Sequence, residues 1–349
     1  MSVPKQSRDS SIELLRIMAM FFIVAHHFVV NSGVTDAFDP SHISIKQLFL
    51  SCWGAWGKAG IVAFTCISGY FMCTSKLTLK RYLKLLLEVV FYSIVVYLVL
   101  GGFGYEQVTI KEILKRFFYL QLFTGANDSF VPAFLWMYLL IPYLNVFLVH
   151  AAKQQCYACV VMLVVYFATC SFWGGFHWVF WLGSIYMIGA AIRLHPMEWM
   201  SKNKICILLL VGMICVSCLS IPIALLIAHS QGVRSLCGHF FLSGGSLLSL
   251  SVGVLSFLVF RNLKIGYSGL INTIASTCFG VLLIHANSNA MRRWLWHDLL
   301  DVSSHYTLGL GGLIVFSVVV CALVFLVCSL LDYLRIIFVE RPFFKIIKL

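Results

Sequence analysis

The sequence predicts an all-α polytopic membrane protein, a bundle of about ten transmembrane helices. Three observations carry this. Of 349 residues, 61% are hydrophobic and only 11% are charged, where a soluble domain has about 45–50% and about 25%. Mean hydropathy is +0.94. The apolar residues also come in runs close to the roughly 20 needed to cross a bilayer core. Such a chain is not a cytosolic enzyme, a secreted domain or a disordered segment, because a soluble surface of this size needs far more polar side chain.

Along the chain, spans are expected at 11–31, 56–74, 84–103, 131–149, 155–173, 177–193, 205–228, 237–260, 267–288 and 308–332. The second is the least apolar. The eighth is rich in Gly and Ser, which let helix backbones approach closely. The first run is full length without a small-residue cleavage site, so it reads as a retained helix. Residues 1–349 are expected to form a single integral-membrane domain with no soluble domain. The stretch Ile110-Lys-Glu-Ile-Leu-Lys-Arg-Phe-Phe mixes charged and apolar residues at helical spacing, the pattern of a helix lying along the outer membrane surface. No repeat of the transporter kind is visible.

Loop charge orients the spans. With the N-terminus inside, 16 Lys and Arg fall on the cytoplasmic side, among them Lys5, Arg81, Lys84 and Lys348. The other side carries 8: Lys46, Lys58, Lys111, Lys115, Arg116, Arg234, Arg292 and Arg293. This bias places both termini in the cytoplasm of a cell (inner or plasma) membrane. It accounts for most of the net charge of +12 without a nucleic-acid partner. The pairs Cys156/Cys159 and Cys215/Cys218 lie inside apolar runs and read as small apolar residues, not as metal or disulfide sites.

Ionisable groups in the membrane are costly, and so they mark function. The first span holds Glu13, Arg16, His26 and His27. Arg16 and His27 are 11 residues apart, which at about 100° per residue is three turns plus about 20°, so they share one face about 16 Å apart along the axis. His26 is turned away by about 100°. Glu13 is spaced to pair with Arg16. Arg is a strong phosphate ligand, and neutral His is the usual general base. Snorkelling of Arg16 and an interfacial His27 are the plainer readings of each residue alone. Together they suit a long, phosphate-bearing donor reaching into the membrane.

The run Glu13-x-x-Arg16-x-x-Ala19 followed by His27 resembles the opening of the membrane-bound acyltransferase-3 family, whose first helix carries an Arg followed after ten residues by a His. Further landmarks follow in the family's order. They are Phe64-Thr-Cys-Ile-Ser68-Gly69-Tyr70-Phe71, Lys80-Arg81-Tyr-Leu-Lys84, Trp136 to Asn145 with Pro142, and Ile185 to Arg193 with Gly189. Phe279-Gly280 to His285 and Val339-Glu340-Arg341-Pro342 complete the set. The resemblance spans essentially the whole chain. Two positions depart from the pattern: Lys84 stands where a second Arg is frequent, and Ile17 where Gly is.

The resemblance implies O-acyl transfer from a cytoplasmic acyl-CoA, usually acetyl-CoA, to a hydroxyl of a surface carbohydrate or its lipid-linked precursor. The donor is a substrate, and no cofactor or metal is held permanently. His27 is then the base or a transient acyl carrier, Arg16 with Glu13 beside it belongs to the catalytic helix, and Arg16, Arg81 and Lys84 bind donor phosphates. Ser68-Gly69 is either a close-packing element or an oxyanion donor. His285 either faces His27 or sits at the interface. Glu340 either pairs with a cytoplasmic Arg or joins the donor site. Trp173, Trp178, Trp181, Trp294 and Trp296 read as an aromatic belt, and Asp298 and Asp301 with Arg292 and Arg293 as a solvated loop. The competing class is a multi-pass transporter or flippase for a lipid-linked sugar.

Overall fold

The computed structural model describes residues 8–39, 42–125, 129–173, 177–231 and 246–347. Lys5, Arg234, Lys348 and the first part of the expected 237–260 span lie outside these residues, as does the Trp173 side chain. Regular structure among the described residues is helical throughout. That follows from the solvent: in hydrocarbon every backbone N–H and C=O needs an internal partner, and a helix supplies it within one segment.

Helix α1 (Ser10–Val30) starts where the Asp9 carboxylate accepts the Ser11 N–H, and it carries Glu13 in its first turn. Helix α2 (Ile45–Ala55) runs through Trp56 into α3 (Gly57–Met72). Helix α4 (Leu79–Gly102) is capped by the Thr78 hydroxyl. Two short helices follow, α5 (Ile110–Phe117) and α6 (Gln121–Thr124). Then come α7 (Phe130–His150), α8 (Lys153–Trp173), α9 (Trp178–Leu194) and α10 (Asn203–Gln231). Helix α11 (Leu247–Asn262) precedes α12 (Gly269–Ser276) and α13 (Cys278–His285), which meet at Thr277. Helix α14 (Asn289–Arg293) continues as a wide turn through Leu299. Helix α15 (Leu310–Arg335) leads through a second wide turn to α16 (Arg341–Ile346).

Ten spans were expected, but six described helices are long and apolar enough to cross a membrane, or seven if a bent pair is counted as one span. That pair is α12–α13 with Asn289–Leu299, bent by 94°. Helices α9 and α11 are apolar but shorter, at 17 and 16 residues. A hydropathy window registers composition, not the break that ends a helix, which is why the expected 267–288 span stops at His285. The stretch 110–117 is helical with no buried residue, as its amphipathic spacing predicts.

Helices α1 and α3 form the centre of the bundle, the α2–α3 stretch being 67% buried. The apolar window of α1 is 61% buried, against 17% for α10, which presents apolar side chains outward. Helix α3 crosses α9 with glycine on both sides. A side chain at Gly69 would meet the Tyr186 carbonyl, and one at Gly189 would meet the Cys66 carbonyl. The bilayer gives no hydrophobic drive between helices, so such contacts of small residues carry association. Asn145 of α7 links the two helices: the Tyr186 hydroxyl donates to its Oδ1 at 2.7 Å, and its Nδ2 donates to the Met72 carbonyl at 2.9 Å. Gly189→Leu, which cannot fit without parting α3 and α9, is expected to destabilise the protein by about 1–3 kcal/mol. Thermal unfolding of purified protein in detergent, compared with Gly212→Leu on the open face of α10, checks this.

Candidate active site

Two adjacent histidines on α1 take different partners. His26 is buried, and its Nδ1 lies 2.7 Å from the Gly54 carbonyl, to which it donates. His27, about 100° further round, points to α13, where its Nδ1 sits 2.9 Å from His285 Nε2. His285 is fully buried, with its Nδ1 2.6 Å from the Val281 carbonyl. A carbonyl only accepts, so His285 Nδ1 carries the proton and, in the neutral ring, its Nε2 is the acceptor. His27 Nδ1 therefore donates, and His27 Nε2 is left with a free lone pair. The edge of Trp296 packs on His285, ring centroids 6.5 Å apart.

His27 lines a cavity of about 230 Å³. Its other walls include Lys58 at the start of α3, Ser93 of α4, Tyr119 beyond α5, Trp178 of α9 and Asn287 after α13. Arg116 and Arg292 also reach it. The 94° bend after His285 is what swings Arg292 back over the site. Tyr119 holds a left-handed backbone, φ 46°, uncommon for a bulky residue. Burial pushes its phenol above the usual range, so it remains a proton donor at the cavity wall.

The other end of α1 is different. Arg16 Nη1 lies 3.4 Å from Glu13, and its guanidinium carbon stands 5.7 Å from the Phe64 ring centroid. The Arg16 Nε–H has no protein partner. Arg81 is exposed and donates to the Lys76 carbonyl at 3.2 Å. Lys84 is paired with Glu340 at 2.7 Å. Glu340 also accepts from Arg335 at 2.9 Å, and Arg335 binds Asp332 at 2.7 Å and Glu88 at 3.2 Å. The Tyr92 hydroxyl donates to Asp332 at 2.8 Å. Glu340 is thus in an ion-paired network and Lys84 already has a carboxylate. Ser68 donates to the Phe64 carbonyl within its own helix at 3.3 Å, beside the Gly69 crossing. No group of three or more metal-ligating side chains is found among the described residues.

The family model described as an acyltransferase domain matches residues 9–333, nearly the whole chain. The chain belongs to the acyltransferase-3 family. No curated protein and no solved structure matches it. As a member of this family it is a membrane acyltransferase.

Within this acyltransferase-3 domain, sequence reasoning placed Arg16, His27 and Glu13 together on α1 and left His285 either facing His27 or at the interface; in the structure Arg16 lies against Glu13 and His27 against His285. It overlooked Lys58, Arg116 and Arg292, counted only as loop charge. The amphipathic spacing of 110–118 was the available signal for Arg116. It overlooked Arg335 with Glu88 and Asp332 too, although an acid in each of two apolar helices near an Arg was visible. Trp181 and Trp296 are buried in the core instead of forming a belt, and Asp298 accepts from Tyr105 at 2.8 Å, which raises the Tyr105 phenol. Arg335→Met leaves Glu88 and Asp332 without their cation and is expected to cost about 3–5 kcal/mol of stability. A drop in the thermal midpoint of purified protein, larger than that of Arg81→Met, is the check.

Proposed function

We propose that this acyltransferase carries an acyl group, acetyl in the first instance, from a cytoplasmic acyl-CoA to a hydroxyl of a surface carbohydrate or its lipid-linked precursor. The observation that carries this is the free Nε2 of His27, oriented by His285 and facing a cavity on the side of α1 opposite in depth to Arg16. The Arg16 end faces the cytoplasm in this reading. There Arg16 and Arg81 take the donor's phosphates through charge-assisted hydrogen bonds. Lys84 contributes less than its position in the sequence suggests, because Glu340 holds it.

The extended donor lies along α1 and brings its thioester towards His27. The acceptor hydroxyl enters the cavity. His27 Nε2 removes the hydroxyl proton as the oxygen attacks the thioester carbonyl. Collapse of the tetrahedral intermediate breaks the C–S bond, and the same nitrogen returns the proton to the CoA thiolate. His285 is a positioning residue that fixes the tautomer and ring angle of His27.

Acetyl transfer is measured on purified protein in nanodiscs with labelled acetyl-CoA and a carbohydrate acceptor. His27→Ala should lower the rate about 10²–10⁴-fold with unchanged thermal stability. His285→Leu should lower it about 10–100-fold and move the acidic limb of the pH–rate profile, whereas His285→Gln, which still offers an acceptor, should recover part of the loss. Arg16→Ala should raise KM for the donor more than it lowers kcat. Full activity in His27→Ala sinks the mechanism.

A further inference from the structure

We propose that Lys58, Arg116 and Arg292 form a subsite for an anionic oxygen group, a carboxylate or a phosphate, carried by the acceptor next to the hydroxyl that His27 deprotonates. The inference rests on the acyl-transfer reading above and deepens it by naming the acceptor's chemistry.

The three cations come from three separate elements, the start of α3, the amphipathic α5 and the bent-back α14, and they line the same cavity as His27. Among the described residues none of them forms an ion pair, and no carboxylate lines the cavity with them. Lys58 Nζ stands 5.0 Å over the Trp178 ring. Arg116 stands 4.2 Å over the Tyr97 ring and donates once, to the Ser93 carbonyl at 3.3 Å. Arg292 donates to Asn289 Oδ1 at 3.1 Å and to the Ala286 carbonyl at 3.4 Å. The Nε–H groups of Arg116 and Arg292 are buried with no acceptor. Rings and carbonyls hold these cations in place without cancelling their charge.

The opposite end of the bundle shows the contrast. There the buried Arg335, with Arg16 and Lys84, faces at least one carboxylate, whereas Arg81, Arg193 and Arg261 are held by carbonyls or a ring but line no cavity shared with the α1 histidines. Cations drawn out of water and left uncompensated are costly, and they persist where a ligand supplies the counter-charge. Guanidinium forks match carboxylate and phosphate oxygens in geometry. The cavity, about 230 Å³, is below the roughly 300–1,000 Å³ of ordinary small-molecule clefts and holds one sugar-sized group. An acidic sugar, or a sugar bearing the phosphate of its lipid link, fits both its charge and its size.

The test uses the full chain in nanodiscs and reads Trp178 fluorescence and calorimetry with four probes: methyl glucuronide, inorganic pyrophosphate, the neutral methyl glucoside, and CoA. At least one anionic probe should bind tenfold or more tightly than methyl glucoside, and added salt should weaken it. Tighter methyl glucuronide assigns a sugar carboxylate, and tighter pyrophosphate assigns the lipid-link phosphate. K58M, R116M and R292Q should each weaken the anionic probe tenfold or more and leave CoA affinity unchanged, while R292K retains binding. The proposal fails if neither anionic probe outbinds methyl glucoside, or if salt has no effect on wild type. It fails likewise if the variants bind as wild type, or if CoA displaces the probe, which would make these cations part of the donor site. The wild-type salt dependence stands even if a variant misfolds. Anion binding without His27-dependent acetyl transfer would overturn the acyl-transfer reading and support the subsite. Transfer to neutral sugars with no anion binding would do the reverse.

Discussion

The arrangement depends on how closely α1 lies against α3. The His26 side chain occupies the space that a side chain at Gly57 would need, and the Ala19 carbonyl does the same at Gly60. No bulkier pair of residues allows this approach. With His26 pinned to the Gly54 carbonyl, the rotation of α1 is fixed. The next residue is then turned by about 100°, and it is this turn that aims His27 at α13. One histidine is tied to the backbone, and its neighbour keeps a ring nitrogen unbonded.

The same placement sorts charge along the bundle. At one end, carboxylates from α1, α4 and α15 and from the turn before α16 face Arg16, Lys84 and Arg335. At the other end, Lys58, Arg116 and Arg292 meet rings and carbonyls, while Lys115 of the same α5 is paired with Glu112. In a low-dielectric interior that difference is felt strongly at the few ångströms where a substrate docks. An ion-paired cluster at one end and a cavity lined by unpaired cations at the other favour different partners.

Much of the site's axis was legible in the sequence, because helix geometry alone puts Arg16 and His27 on one face. His285 was legible as a candidate through its place in a late Gly-to-His helix. The pairing of Lys84 with Glu340 was not, since 256 positions separate them and no periodicity links them. Lys58, Arg116 and Arg292 were counted correctly as lying on one side, yet loop counting does not say whether a side chain folds back into the bundle. The fold class was legible from composition, and the number of crossing helices was not. The bend at residues 286–288 and the short α9 and α11 are set by tertiary packing, where an apolar run looks the same whether it crosses fully or stops part-way.

The hydrogen-bond chain from His27 through His285 ends on the Val281 carbonyl. A carbonyl in a helix has no proton to give and no stable way to keep one. The chain is therefore a closed end: it orients a proton but does not drain one away. In the proposed transfer, whatever proton His27 Nε2 takes must leave by the same nitrogen, to the departing thiolate. In that proposed cycle the acyl group travels from the donor's end to the cavity, and the acceptor's hydroxyl hydrogen travels back with CoA as its thiol hydrogen, one for one. An enzyme working by the proposed route would exchange acyl for hydrogen with no proton taken from, or released to, the water on either side.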